Sequence, residues 1–164
     1  MMKKLLIILF TLLSVSVYAQ RSEVLLEKNW KFHRGDAENA QATAYDDASW
    51  QNVSVPYDWA IYGPFSRDND LQYKAVVENG ETKETWKTGR TGGLPYEGVG
   101  WYRTTFDASK TGRTTLIFDG AMSEARVYVN GEEVIFWPYG YSSFHVDVTD
   151  RLTVDGKNNI LAVR

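Results

Sequence analysis

Residues 125–136, Ala-Arg-Val-Tyr-Val-Asn-Gly-Glu-Glu-Val-Ile-Phe, set an Asn-Gly pair between two runs of β-forming residues. Asn and Gly both tolerate the positive φ angles of a type I′ turn, and the twist of that turn matches the strands on either side. With Asn130-Gly131 as a two-residue loop, Val127 faces Val134 and Ala125 faces Phe136. Apolar side chains then pair across one face of the ladder, while Tyr128 meets Glu133 on the other. This hairpin is the firmest local constraint in the chain.

Other segments repeat the theme. Val24–Phe32 ends with Trp30 and Phe32 two apart, on one face of a strand. Trp50–Val55 is a shorter candidate, closed by Pro56. Trp101–Phe106 divides into Trp101, Arg103 and Thr105 on one side and Tyr102, Thr104 and Phe106 on the other. Thr114–Phe118 is β-branched and apolar, and Asp119-Gly120 ends it. Phe144, Val146 and Val148 alternate with His145 and Asp147, the pattern of a half-buried strand, and Asn159–Arg164 supplies the last one. No segment carries a helical apolar stripe; Glu38–Ala48 has helix formers enough for a single turn. Short strands with regular turn signals predict an all-β jelly-roll β-sandwich. Tyr57–Gly98 stands apart as a long Gly-, Asp-, Asn-, Lys- and Thr-rich loop. Its aromatics, Trp59, Tyr62, Phe65, Tyr73, Trp86 and Tyr96, argue for function rather than disorder.

The chain has 164 residues and no cysteine, so disulfides, Cys-type zinc sites and thiol nucleophiles are excluded. Met1–Lys4 is basic, Leu5–Val17 is an apolar run, and Val17-Tyr18-Ala19 has small residues where a signal peptidase reads. Residues 1–19 therefore read as a secretory signal peptide, too short in apolar length for a span of about 20 residues. No cysteine follows to carry a lipid. The expectation is an exported chain, periplasmic or extracellular, with no membrane attachment after cleavage. Loss of Lys3 and Lys4 takes the formal charge from −3 to −5, and no basic block remains. Nucleic acid is a poor partner for such a chain.

Sugar hydrolysis uses paired carboxylates, and the loop supplies Asp58, Asp68, Asp70 and Glu97; their spacing along a loop fixes no separation, and solvated acids are the plainer reading. Asp68-Asn69-Asp70 starts like a calcium loop, but Tyr73 and Asn79 stand where Gly and Glu are needed. His33 and His145 lie far apart with no patterned carboxylates and read as strand residues facing solvent. Thr88–Gly93 lacks the Lys and the helix of a phosphate loop. No metal and no cofactor are expected. Trp and Tyr make up much of a 14% aromatic content, and such rings bind sugars through apolar contact. Trp30, Trp50 and Trp101 belong to the expected core; Trp59, Trp86 and Trp137 lie in or beside loops and are the candidates for exposure.

In order along the chain, several pieces are similar to the opening of glycoside hydrolase family 2. They are Trp30-Lys31-Phe32, Asp46–Trp50, Val55–Ile61 with Gly63-Pro64-Phe65, Gly98–Arg103, Phe118–Ala121, Val127–Gly131, Gly140–Phe144, Asp147-Val148-Thr149 and Asn159–Arg164. The Pro-Tyr-Asp-Trp and Gly-Tyr-Ser-Ser-Phe pieces most resemble β-galactosidase-like members from Bacteroidetes. The resemblance implies that residues 20–164 are the family's N-terminal sugar-binding jelly roll, galactose-binding-domain-like and truncated at its C-terminal end. It implies partners too: an immunoglobulin-like domain and a catalytic TIM barrel further along, acting on a β-galactoside-like carbohydrate. The family's acid/base glutamate follows an asparagine, and this chain has no Asn-Glu dipeptide, so no catalytic residue carries over. An insertion around Leu71–Thr88 distinguishes the loop and could bring it to the mouth of a barrel. Asp58, Trp59, Trp86, Arg90 and Tyr96 are its candidate substrate-proximal residues. A stand-alone carbohydrate-binding module is the alternative, and a ligand-free scaffold domain a third reading.

Overall fold

The computed structural model describes residues 21–62, 65–66, 68–69, 71–89 and 98–164. The signal-peptide reading of 1–19 falls outside them. Among the described residues ten strands follow in chain order: β1 (Trp30–Arg34), β2 (Gln51–Val53), β3 (Leu71–Glu78), β4 (Glu81–Thr88), β5 (Gly100–Phe106), β6 (Thr115–Phe118), β7 (Ala125–Val129), β8 (Glu132–Trp137), β9 (Phe144–Asp147) and β10 (Asn159–Val163). Two 3₁₀ turns, Trp59–Tyr62 and Thr149–Arg151, are the helical elements among the described residues. The main sheet is antiparallel in the order β2-β1-β5-β10-β7-β8, and β6 pairs with β9 in a second layer. The chain is thus an all-β jelly-roll sandwich.

The alternation in β5 places its two sets of side chains. Phe106 packs between the layers with Trp30, Leu116, Val127, Val129, Phe144, Leu161 and Val163. Trp101 points the other way, where Ala40, Trp50 and Ala162 form a smaller cluster. The 36–50 segment therefore covers the outer face of the sheet, and β5 and β10 are buried on both sides. This explains why Ile160–Val163 of β10 reads as an apolar run rather than an alternating one.

Arg103, also on the outer side of β5, is only 2% exposed. Its Nε donates to Asp47 Oδ2 at 2.8 Å, and its Nη1 donates to the carbonyls of Ala40 and Ala42. The guanidinium also lies 5.4 Å from the centre of the Tyr45 ring. A buried cation without such partners would be prohibitively costly. Its partners fix where the 40–47 segment must lie.

Two local expectations are corrected. Residues 24–29 are not strand, because Asn29 has a φ of 64° and turns the chain just before β1. Its carbonyl accepts a hydrogen bond from the Thr104 hydroxyl. In the hairpin, Tyr128 does meet Glu133, but Val127 pairs with Ile135 and Ala125 with Trp137. Val134 is an extra residue in a β-bulge, which reverses the facing of the residues after it. Trp137, expected to be exposed, thereby enters the core and stacks on Phe144 at 5.3 Å. Phe136 turns outward instead, beneath the Arg126 guanidinium at 4.6 Å.

Asn159 is fully buried and uses every bonding position it has. Its Oδ1 accepts from Asn130 Nδ2 at 3.0 Å and from the Thr153 amide at 2.8 Å. Its Nδ2 donates to the carbonyls of Phe106 and Gly156. Truncation strands several buried groups at once, each costing about 1–3 kcal/mol when left unpaired. Asn159→Ala is expected to lose about 3 kcal/mol of stability, read as a lower denaturant midpoint at unchanged slope.

Candidate functional site

Residues 57–62 lie against the inner side of β1 and β5. The Phe32 ring meets Tyr57 at 5.2 Å, Trp59 at 5.8 Å and Tyr102 at 4.8 Å. Tyr57 and Tyr62 stack at 5.7 Å. Arg34 donates from Nη2 to the Trp59 carbonyl at 2.8 Å and sits 5.2 Å from the centre of its ring. Tyr102 donates its hydroxyl to the Tyr57 carbonyl at 3.1 Å. Burial, then the nearby Tyr57 and Asp58, pushes the Tyr102 phenol well above the usual tyrosine range. It is therefore a fixed donor at any working pH.

Gly100 makes this packing possible. A Cβ there would lie 3.1 Å from a Phe32 ring carbon and 3.4 Å from the Trp59 indole. Trp59, expected as an exposed loop ring, is instead half-buried in this wall because Gly100 leaves it room. Asp58 next to it is exposed and spends one oxygen on the Ala60 amide at 3.0 Å, shaping the 3₁₀ turn.

The insertion expected as loop is a long hairpin. β3 and β4 pair through eight registered residues, from Leu71 with Thr88 to Glu78 with Glu81, around Asn79-Gly80. Asn79 and Gly80 have φ angles of 54° and 82°. The signal was the same Asn-Gly pair that marked residues 130–131, hidden by the polar residues around it. One face of this ribbon carries Leu71, Tyr73, Ala75, Val77 and Trp86; the other carries Lys74, Glu78, Lys83 and Lys87. Tyr73 and Trp86 lie 5.2 Å apart at 56°, and Trp86 is 62% exposed. Candidate residues Asp58 and Trp59 thus belong to the sandwich wall, and Trp86 to the ribbon. Arg90 and Tyr96, like Asp70 and Glu97, lie outside the described residues, while Asp68 is exposed.

A polar cluster on the outer face had no signal in the sequence, because its members are far apart along the chain. Asp36 accepts from Trp101 Nε1 at 2.9 Å and from Arg164 Nε and Nη2 at 3.0 and 2.6 Å. Trp101 stacks on Tyr128 at 5.8 Å. His33, expected to face solvent, is half-buried with its ring 5.2 Å from Trp50, whereas His145 is exposed. Among the described residues no cluster of His, Asp or Glu could hold a metal ion. Among those same residues, the carboxylates that shift are Asp36, Asp107, Asp147 and Asp155. All move down, through bonds from Arg164, the Asn158 amide, Thr149 and the Lys157 amide respectively. That is the reverse of what a general acid requires.

The two layers of antiparallel strands, with an aromatic wall at one end, define an all-β sandwich domain. No family model matches the chain. It is 34% identical to a β-galactosidase of Bacteroides ovatus over 92% of this chain and 16% of that protein. Among solved structures it resembles a β-glycosidase of Bacteroides vulgatus, at 33% identity and a TM-score of 0.64 over 87% of this chain and 17% of the other. It also resembles a β-glucuronidase of Bacteroides uniformis, at 26% identity and a TM-score of 0.67, with 88% and 14% covered. The chain belongs to glycoside hydrolase family 2, and it spans about one-sixth of the length of the relatives it matches.

The Gly100 contact and the Asp36 cluster each have a measurable consequence. Gly100→Ala is expected to cost about 1–3 kcal/mol by overpacking, and less in a Phe32→Leu background, as a double-mutant cycle would read. Asp36 has a folded pKa below its unfolded value, so its contribution is present above about pH 4 and lost as the pH falls through the folded value. Asp36→Asn should lower stability at pH 7 by about 1 kcal/mol, the exposed carboxylate being screened by solvent, and flatten the acid limb of the unfolding profile.

Proposed function

We propose that residues 20–164 are the N-terminal, non-catalytic jelly-roll domain of an exported glycosidase acting on β-galactoside-like carbohydrate, with hydrolysis performed by a barrel encoded further along. Residues 1–19 are read as the export signal. The observation that carries this reading is the coverage: about nine-tenths of this chain aligns with β-galactosidase and β-glycosidase relatives, and with under a fifth of their length. In this role the sandwich buttresses the catalytic body. The 57–62 turn with Asp58 and Trp59 and the ribbon with Trp86 are read as its substrate side; Arg90 and Tyr96, the other candidates, lie outside the described residues.

A stand-alone carbohydrate-binding module is the second reading, favoured by the exposed Tyr73–Trp86 pair. The 56° tilt between those rings gives no flat platform for a sugar face, which puts this reading second. Purified 20–164 is expected to leave chromogenic β-galactosides and β-glucuronides intact, while the polypeptide read on past Arg164 cleaves one of them. Hydrolysis by 20–164 alone would overturn the proposal. Millimolar binding of galactosides by 20–164, abolished by Trp86→Ala but not by the exposed Val154→Ala, would establish the module instead.

A further inference from the structure

The chain has two Asn-Gly pairs, 79–80 and 130–131, and each forms the two-residue loop of a hairpin. Their backbones are alike: Asn79 and Asn130 have φ angles of 54° and 50°, and Gly80 and Gly131 follow at 82° and 90°. Their surroundings differ. Asn130 Nδ2 donates to the Arg151 carbonyl at 2.7 Å and to Asn159 Oδ1 at 3.0 Å, while its Oδ1 accepts from the Ile160 amide at 2.8 Å. Its own amide donates to the Ile160 carbonyl, and its hairpin belongs to the six-stranded sheet.

Asn79 is exposed, and among the described residues its side chain makes no hydrogen bond. A Cβ on Gly80 would meet nothing within 4 Å. Among those same residues β3 and β4 pair only with each other. A two-stranded ribbon of this kind is marginally stable and opens locally far more readily than a strand inside a sheet. Gly80 takes the second loop position, whose N–H has no part in the ladder that the Glu78–Glu81 pair closes.

We propose that Asn79-Gly80 is a spontaneous modification site whose products loosen the β3–β4 ribbon, and that the fold disarms the same pair at Asn130-Gly131. When the turn opens, the Gly80 nitrogen attacks Asn79 Cγ. The N–Cγ bond forms, the Cγ–Nδ2 bond breaks, and ammonia leaves with the proton from the Gly80 amide. Glycine allows this approach because no Cβ hinders its nitrogen. Water then adds to either carbonyl of the cyclic imide and breaks that carbon's bond to nitrogen, which gives aspartate or isoaspartate at position 79. At Asn130 both side-chain atoms are held by other partners, so Cγ cannot turn toward Gly131.

Both products disturb the turn. Aspartate sets a further negative charge beside Glu78 and Glu81, which already face each other across the ladder. Isoaspartate routes the main chain through Cβ, and the lengthened loop no longer fits the two-residue turn. The register that sets Trp86 opposite Tyr73 depends on that turn.

The test holds the full polypeptide in mildly alkaline buffer, native and in urea, and maps its peptides by mass spectrometry. In the native protein the peptide with 79–80 is expected to gain one dalton and split into aspartate and isoaspartate forms, while the peptide with 130–131 keeps its mass. In urea both convert at similar rates. Asn79→Gln, whose longer side chain closes the ring far more slowly, should abolish the gain. An intact Asn79 in the native protein, or equal conversion of the two pairs there, would overturn the proposal. An Asn130 that also resists in urea would do so too, since the fold would not be its protection. Hydrogen exchange of the aged protein should be faster over 71–88 and unchanged over 125–137; unchanged exchange over 71–88 would refute the effect on the ribbon.

Discussion

A buried cation sits at the middle of this fold. Arg103 lies on β5, the third strand of the six-stranded sheet, with its guanidinium on the outer face and almost no solvent. Water cannot neutralise it, so protein must, and the 40–47 segment supplies Asp47 and two carbonyls. Once that segment is fixed, Trp50, Trp101 and Ala162 close against it and the sheet is covered on both faces. Removing a partner of such a buried charge typically costs about 3–5 kcal/mol, which is a large share of a domain's net stability. The same segment brings Asp36 to Trp101 and Arg164, tying the first turn after β1 to the end of β10.

The strands were legible where one face is buried and the other is not. β6, β7 and β9 alternate because each lies between the core and a more polar side, whereas β5, covered on both faces, was legible by its aromatic and β-branched residues. β10 was legible by its apolar run. The bulge at Val134 was not, since nothing in Glu133-Val134-Ile135 distinguishes an extra residue from a regular one; only the fit of Trp137 against Phe144 does. The β3–β4 ribbon was missed for a different reason. Its apolar residues lie on one strand almost alone, opposite Thr82, Glu84 and Thr88, so cross-strand pairs of like character are few. Asn79-Gly80 was the available signal.

The candidate site was legible as a region more than as a geometry. Trp59 and Trp86 share a loop in the sequence, yet one is wedged over Gly100 and the other rides on a separate ribbon. Asp36 and Arg164 meet across 128 positions, a contact that no local pattern encodes.

On the proposed function, this sandwich supports a reaction whose nucleophile lies elsewhere in the polypeptide. A mechanism-based aziridine of matching sugar configuration traps the nucleophile of a retaining glycosidase as a covalent ester, so peptide mapping of the labelled full polypeptide reads its position directly. The label is expected on a glutamate beyond Arg164, with none within 20–164. A labelled carboxylate inside this chain, Asp58 above all, would contradict that role.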